Sequence, residues 1–297
     1  MPTDTSAPAM QGVRTVLIPL PAYGFDPTES AVPWQAIRRA GHDVVFATPD
    51  GTPAAADVRM LTGAELPRPL RRTLRAREED ASTYMEMEAS TAFRRPVAYE
   101  AIEPAAFDAL LLPGGHDKGM RVYLDSAVLQ RVVAWFFDHR RPVGAICHGT
   151  LLAARSVSVD DPARAGRSVL WDRRTTGLTR SQELISYWLT RTRLGDYYRT
   201  YPVPMMDDLI SHLRSAADYR RGPGRPIPLR RDTETNLRPG FTLRDGAYIS
   251  ARWPGDAHAF AQGFVAMLAE PAGATDRRGG VTPPSSSAMT PAANAVS

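Results

Sequence analysis

The sequence predicts an α/β fold: a mostly parallel sheet with helices on both faces and a nucleophile elbow at one strand end. Three observations carry this. Short apolar runs alternate with helical stretches along the first half of the 297-residue chain, and strands separated by helices pair in parallel. Residues 15–48 read as a strand–helix–strand unit, the building block of such sheets. The run Val143–Ile146 stops at Cys147, and a helix of small residues, His148–Ala154, starts at once. That strand–turn–helix shape puts a side chain at the sheet's rim.

Taken in order, residues 1–12 are small and polar and are expected to be disordered. Thr15–Leu20 is a buried strand. The loop Pro21–Thr28 leads into a helix over Glu29–Ala40, with Pro33 in its first turn, where a missing N–H costs little. Gly41 sits at a helix C-cap, Asp43–Thr48 is the second strand, and Pro49-Asp50-Gly51 is a turn. Residues 52–103 are less regular. Arg77–Ser90 reads as a helix whose Met85 and Met87 face the core. Phe107–Leu112 is a strand ending in Pro113-Gly114-Gly115-His116. In Ser126–Arg140, Ser126 is an N-cap, and Val128, Leu129, Val132, Val133 and Phe136 recur at helical spacing.

Beyond the elbow, Ser168–Leu178 reads as one or two short strands and Ser181–Arg193 as a helix. Residues 195–240 are rich in Pro, Gly and Arg and read as a surface excursion, a cap or an oligomer contact. Phe241–Arg252 is a hairpin around Arg244-Asp245-Gly246, and Asp256–Ala269 is the last helix. Residues 271–297 hold almost no bulky apolar side chains and are expected to be a disordered tail. The ordered chain thus reads as one domain over residues 13–270.

Composition narrows the function. The 43% hydrophobic content is ordinary for a globular protein. The net charge of +4 is spread without a block of like charges, which argues against nucleic acid as a partner. Lys118 is the only lysine, so arginine carries the basic charge. No stretch reaches the roughly 18 apolar residues of a membrane span, and Val16–Leu20, closed by Pro21, is too short for a signal peptide. One cysteine fits a reducing compartment, so a cytoplasmic location is expected. The histidines are scattered and Cys147-His148 are adjacent rather than at ligand spacing, so neither a metal nor any other cofactor is expected.

The chemistry gathers at three strand ends, where sites of parallel sheets form. The first strand leads to Glu29, the strand Phe107–Leu112 to Gly114 and Gly115, and the elbow to Cys147 and His148. A helix N-terminus favours the thiolate of a cysteine beside it. A carboxylate near a reactive thiol can move a proton while the thiol attacks an electrophilic carbon. Backbone N–H groups at Gly115 and His148 can hold an oxyanion. Each residue also has a bland reading: a buried small cysteine, a first-turn glutamate favoured by the helix dipole, a capping histidine. His116, His258 and Tyr23 are further candidates for the pocket wall.

Leu110-Leu111-Leu112-Pro113-Gly114-Gly115-His116, followed by Ala145-Ile146-Cys147-His148-Gly149, resembles the DJ-1/PfpI superfamily. Its fold is that of class I glutamine amidotransferases, a flavodoxin-like three-layer sandwich. Pro27-Thr28-Glu29-Ser30 and Ala40–Gly51 are similar to the superfamily's N-terminal pattern. The size, the segment Thr176–Glu183 and Trp253-Pro254-Gly255-Asp256-Ala257-His258 are nearest the Hsp31-like branch. The resemblance covers residues 14–268. It implies Cys147 as nucleophile, Glu29 as the acid that shuttles protons, and His148 as the histidine beside the thiol. It also implies an acidic residue that orients His148, with Glu183 the candidate and Asp172 its rival. The implied activities are glutathione-independent glyoxalase chemistry on a small aldehyde such as methylglyoxal, deglycation, amide or peptide hydrolysis by the same thiol, or a stress chaperone or redox-sensor role. A homodimer is common in the superfamily.

Overall fold

A computed structural model describes residues 12–224, 228 and 230–271. The expected N-terminal and C-terminal disorder falls on residues outside that set, apart from Gly12 and Pro271. The strands are β1 (Thr15–Pro19), β2 (Tyr23–Phe25), β3 (Asp43–Thr48), β4 (Ala55–Ala56), β5 (Val97–Ala98), β6 (Ala109–Leu112), β7 (Val143–Ile146), β8 (Thr242–Asp245) and β9 (Tyr248–Ala251). Seven form one sheet in the order β5-β3-β1-β6-β7-β9-β8. Every pairing in it is parallel except β8 with β9, the expected hairpin. β2 and β4 make a small separate parallel pair.

All residues of β6, β7 and β9 are buried, as central strands covered by helices on both faces must be. The α/β sandwich expected from the alternation is therefore present. One apolar core runs from Val16 to Leu268. Strand order reverses between β1 and β6, since the chain grows outward from β1 through β3 and then from β6 through β7. Parallel sheets bind ligands outside the carboxyl ends of the strands at such a point; Glu29 lies on the helix reached from β1, Gly114 follows β6, and Cys147 follows β7, the next strand.

Several expectations need correction. The first helix is Pro27–Arg39, not Glu29–Ala40, because the Asp26 carboxylate caps it by accepting from the N–H groups of Thr28 and Glu29. Pro27 thus takes the first helical position. Pro33 lies inside the helix, where its missing N–H frees the Glu29 carbonyl from the ladder. In the helix Glu78–Ala89, Met87 is buried but Met85 is 63% exposed; two residues apart on a helix point to different sides. Residues 168–178 form no strand. Their backbone makes isolated bridges, Val157 with Ser168 and Thr175 with Tyr219, because the hairpin strand β8 already occupies the sheet edge.

The 195–240 segment is more than a surface excursion. Tyr197, Tyr198, Met205, Met206 and Leu209 are buried, and the helix Met205–Ser211 packs on the elbow helix Gly149–Arg155. Its later part is held by a buried ion pair. Arg252 Nε and Nη2 each donate to the Asp256 carboxylate at 2.8 Å, with both side chains at most 1% exposed. Arg252 Nη1 also donates to the Pro223 carbonyl at 2.6 Å. Removing one member of a buried pair strands the other charge, at a cost of about 3–5 kcal/mol. Asp256→Ala is therefore expected to lose about that much in urea unfolding; a loss below about 1 kcal/mol would show that the pair is not structural.

Candidate active site

β7 ends at Ile146, and Cys147 follows with φ +54°, a left-handed conformation uncommon for a residue with a Cβ. Such backbone costs on the order of 1–3 kcal/mol and persists where the surroundings over-determine it. Here the Cys147 carbonyl accepts from Thr150 N at 3.1 Å and Thr150 Oγ1 at 2.7 Å, which locks the turn. Gly149 lets the turn lie on the neighbouring strand: a Cβ there would be 2.1 Å from the Leu112 carbonyl oxygen. The expected elbow is thus formed, with the Cys147 thiol 1% exposed beneath it.

Glu29 reaches this thiol from the first helix. Its Oε2 accepts from Gly114 N at 3.0 Å, while Gly114 O accepts from Asp26 N at 2.8 Å. That reciprocal clasp fixes the helix N-terminus to the glycine turn after β6. Gly114 must be glycine, since a Cβ would stand 2.8 Å from both Cys147 Cβ and Glu29 Oε2. The Glu29 carboxylate interacts with the Cys147 thiol, and Oε1 is buried with no hydrogen-bond partner.

Burial pushes Glu29 well above the usual carboxylate range, and the neighbouring Asp26 pushes it further. Asp26 itself is raised to about 6, mainly by burial. Burial likewise drives the Cys147 thiol up, followed by repulsion from Glu29 and Asp26, against the lowering effect of the His148 N–H. The expectation of a thiol pKa lowered by the elbow helix is overturned, because desolvation and two carboxylates outweigh one helix end. Both shifts favour the protonated forms of the pair.

His148 is 1% exposed, and its Nδ1 lies 3.6 Å from Cys147 Sγ. Burial and nearby positive groups hold it well below 6.5, so the imidazole is neutral. Among the described residues no carboxylate hydrogen-bonds its ring. Glu183, expected to orient it, instead accepts from Met205 N at 2.8 Å and lies 3.9 Å from Arg199. Glu183 thereby caps the helix Met205–Ser211 from a distance, and burial raises it to about 7. Asp172 binds Arg164 at 2.8 Å and is no substitute. His258 bonds Asp80 at 3.2 Å, and Tyr23 is 56% exposed; neither contacts Cys147 or His148.

His116, a pocket-wall candidate in the sequence, stands beside His148. It is 9% exposed, and its ring stands edge-on to His148 at 5.0 Å and to Tyr198 at 4.9 Å. Burial lowers it to about 4, and its Nδ1 has no partner. One donor atom from each of His116, Cys147 and His148 lies within 4.8 Å of the others, so the fold gathers a ligand-like trio from residues 31 positions apart in sequence. Tyr123, whose buried hydroxyl is also unpartnered and feels the Glu29 charge, completes the surroundings. Asp26 had a legible signal in Asp26-Pro27-Thr28-Glu29, a cap followed three residues later by glutamate; Tyr123 and Tyr198 had none. Size does not mark the site: a cleft of about 840 Å³ lies elsewhere, between Arg72–Glu79 and Arg230–Pro239.

Residues 20–223 match the ThiJ/PfpI family-like model. The chain belongs to this family, within the DJ-1/PfpI superfamily. A deglycase of Pyrococcus abyssi is 27% identical over 172 residues, 58% of this chain and 69% of that protein. A glyoxalase III from Candida albicans has the same fold, with TM-score 0.61 and 18% identity over 86% of this chain and 97% of that one. A Francisella tularensis Rapid Encystment Protein of 24 kDa aligns similarly, with TM-score 0.60 and 16% identity over 86% and 99%. Among the described residues of this ThiJ/PfpI chain, no helix is long and apolar enough to cross a membrane.

Proposed function

We propose that this chain is a cofactor-independent cysteine enzyme acting on small 2-oxoaldehydes, converting methylglyoxal to lactate without glutathione. The observation that carries this is the pairing of a left-handed Cys147 with a Glu29 carboxylate that has one oxygen fixed by Gly114 and the other free. A group that must both give and take protons at adjacent carbons needs that combination of fixed position and unengaged oxygen. The names of the Pyrococcus deglycase and the Candida glyoxalase III agree with aldehyde-adduct chemistry at such a thiol.

With one proton removed from the Glu29–Cys147 pair, the sulfur adds to the aldehyde carbon, and Glu29 supplies the proton that makes the hemithioacetal hydroxyl. The N–H groups of Gly115 and His148, neither of which donates to a backbone carbonyl, steady the oxyanion. Glu29 then takes the proton from the former aldehyde carbon, giving an enediolate, and returns a proton to the adjacent carbon, while the hydroxyl proton passes from the first oxygen to the second. The product is a thioester of lactate on Cys147. Water hydrolyses it, releasing lactate and restoring the thiol.

Amide hydrolysis by the same thiol is the weaker reading. It needs a histidine held by an acid to protonate the leaving amine, and His148 has no such partner. The neutral His148 instead suits a role as hydrogen-bonding wall.

Glu29→Gln is expected to lower kcat on the order of 10²–10⁴-fold, the usual span for a positioned acid–base group, with melting temperature little changed. A kcat within threefold of wild type would remove Glu29 from the mechanism. The pair must lose one proton before attack, so kcat/KM should rise with pH. Because Glu29 is raised above the ordinary carboxylate range, the rising limb should lie above about pH 4.3 and should move in Glu29→Gln, where only the thiol is left to ionise. A wild-type profile flat through the range above pH 4.3 would contradict this.

A further inference from the structure

We infer that His116, Cys147 and His148 form a three-ligand Zn²⁺ site. A zinc ion bound at 2.0–2.1 Å to imidazole nitrogen and 2.3 Å to sulfur has tetrahedral ligand–ligand edges of roughly 3.3–3.6 Å. The Cys147 Sγ to His148 Nδ1 separation is already 3.6 Å. A ring nitrogen of His116 lies within 4.8 Å of Cys147 Sγ and of a ring nitrogen of His148, so small side-chain rotations close the site.

Two observations beyond the thiol point to a ligand. His116 Nδ1 is buried with no hydrogen-bond partner, an expense that native structures rarely carry without a use. The same ring is held between His148 and Tyr198 and its own carbonyl accepts from Thr200 Oγ1 at 2.9 Å, so its position is fixed from both sides. One soft sulfur with two imidazoles is a donor set suited to zinc.

Binding breaks the Cys147 S–H bond and forms Zn–S; the proton leaves to water, and each imidazole contributes a lone pair. No electron is transferred. Coordination engages the sulfur lone pair and weakens it as a nucleophile, so the ion would hold the enzyme reversibly inhibited. The inference concerns binding and does not depend on which reaction the thiol performs.

The test is titration of the full chain with Zn²⁺ against a chromophoric chelator, for wild type, Cys147→Ser and His116→Gln, each checked by thermal melting. Wild type should take one equivalent, and each variant should bind at least about tenfold more weakly. Co²⁺ in place of Zn²⁺ should give wild type a thiolate-to-cobalt absorption band that Cys147→Ser lacks. This spectrum needs only folded wild type, so it decides the matter even where a variant fails to fold. Absence of stoichiometric binding by wild type, absence of the band, or variant affinities equal to wild type would overturn the site.

Discussion

Gly149→Ala is expected to destabilise the protein by at least about 3 kcal/mol, lowering the melting temperature on the order of 10 °C. The added methyl group would sit 2.1 Å from the Leu112 carbonyl oxygen, 2.7 Å from the Leu112 carbonyl carbon and 2.8 Å from the Pro113 oxygen. All three are backbone atoms at the end of β6, a fully buried strand paired with β1 and β7. A flexible side chain could swing away; a central strand cannot. The helix must lift instead, carrying Cys147 and His148 with it. Gly166→Ala is the comparison, because no atom lies within 4 Å of the Cβ it would add. Its positive φ of 77° should cost only about 1 kcal/mol. Equal melting temperatures for the two variants would show that the elbow is not packed as described.

Cys147→Ala is expected to abolish turnover, by on the order of 10³-fold or more, while the protein stays folded. The thiol supplies the covalent step, and no neighbouring group can replace it: His148 is neutral and buried, and Glu29 is fixed by Gly114. The substitution removes one sulfur atom and leaves the turn bonds to Thr150, made by the Cys147 carbonyl, untouched. Stability should change by only about 1 kcal/mol. Initial rates and melting curves on the same preparations check both halves. A folded variant retaining a rate within tenfold of wild type would contradict a covalent role.

Much of this was legible in the sequence because local rules set it. β1, β3, β6 and β7 fall on short apolar runs, which only buried parallel strands require. The elbow shows in one abrupt change, from Val143–Ile146 to a run of small residues. Glu29, Gly114, Cys147 and His148 come together because each follows a strand at or next to the reversal of sheet order. What stayed hidden depended on long-range packing. Nothing near residue 116 announces that Tyr198 will cover it, since the covering segment arrives some eighty residues later. Glu183 sits in the first turn of its helix as expected, yet its partner, Met205 N, is set by how residues 195–205 fold back. The direction of the thiol pKa was also hidden: the helix end is visible in sequence, but the desolvation that outweighs it is not.

The most direct test of the central claim is the product of methylglyoxal in D2O, with wild-type protein and no glutathione. Lactate is expected from wild type and not from Cys147→Ala, its second carbon carrying deuterium to the extent that Glu29 exchanges its proton before returning it. Folded wild-type protein that forms no lactate would contradict the covalent mechanism.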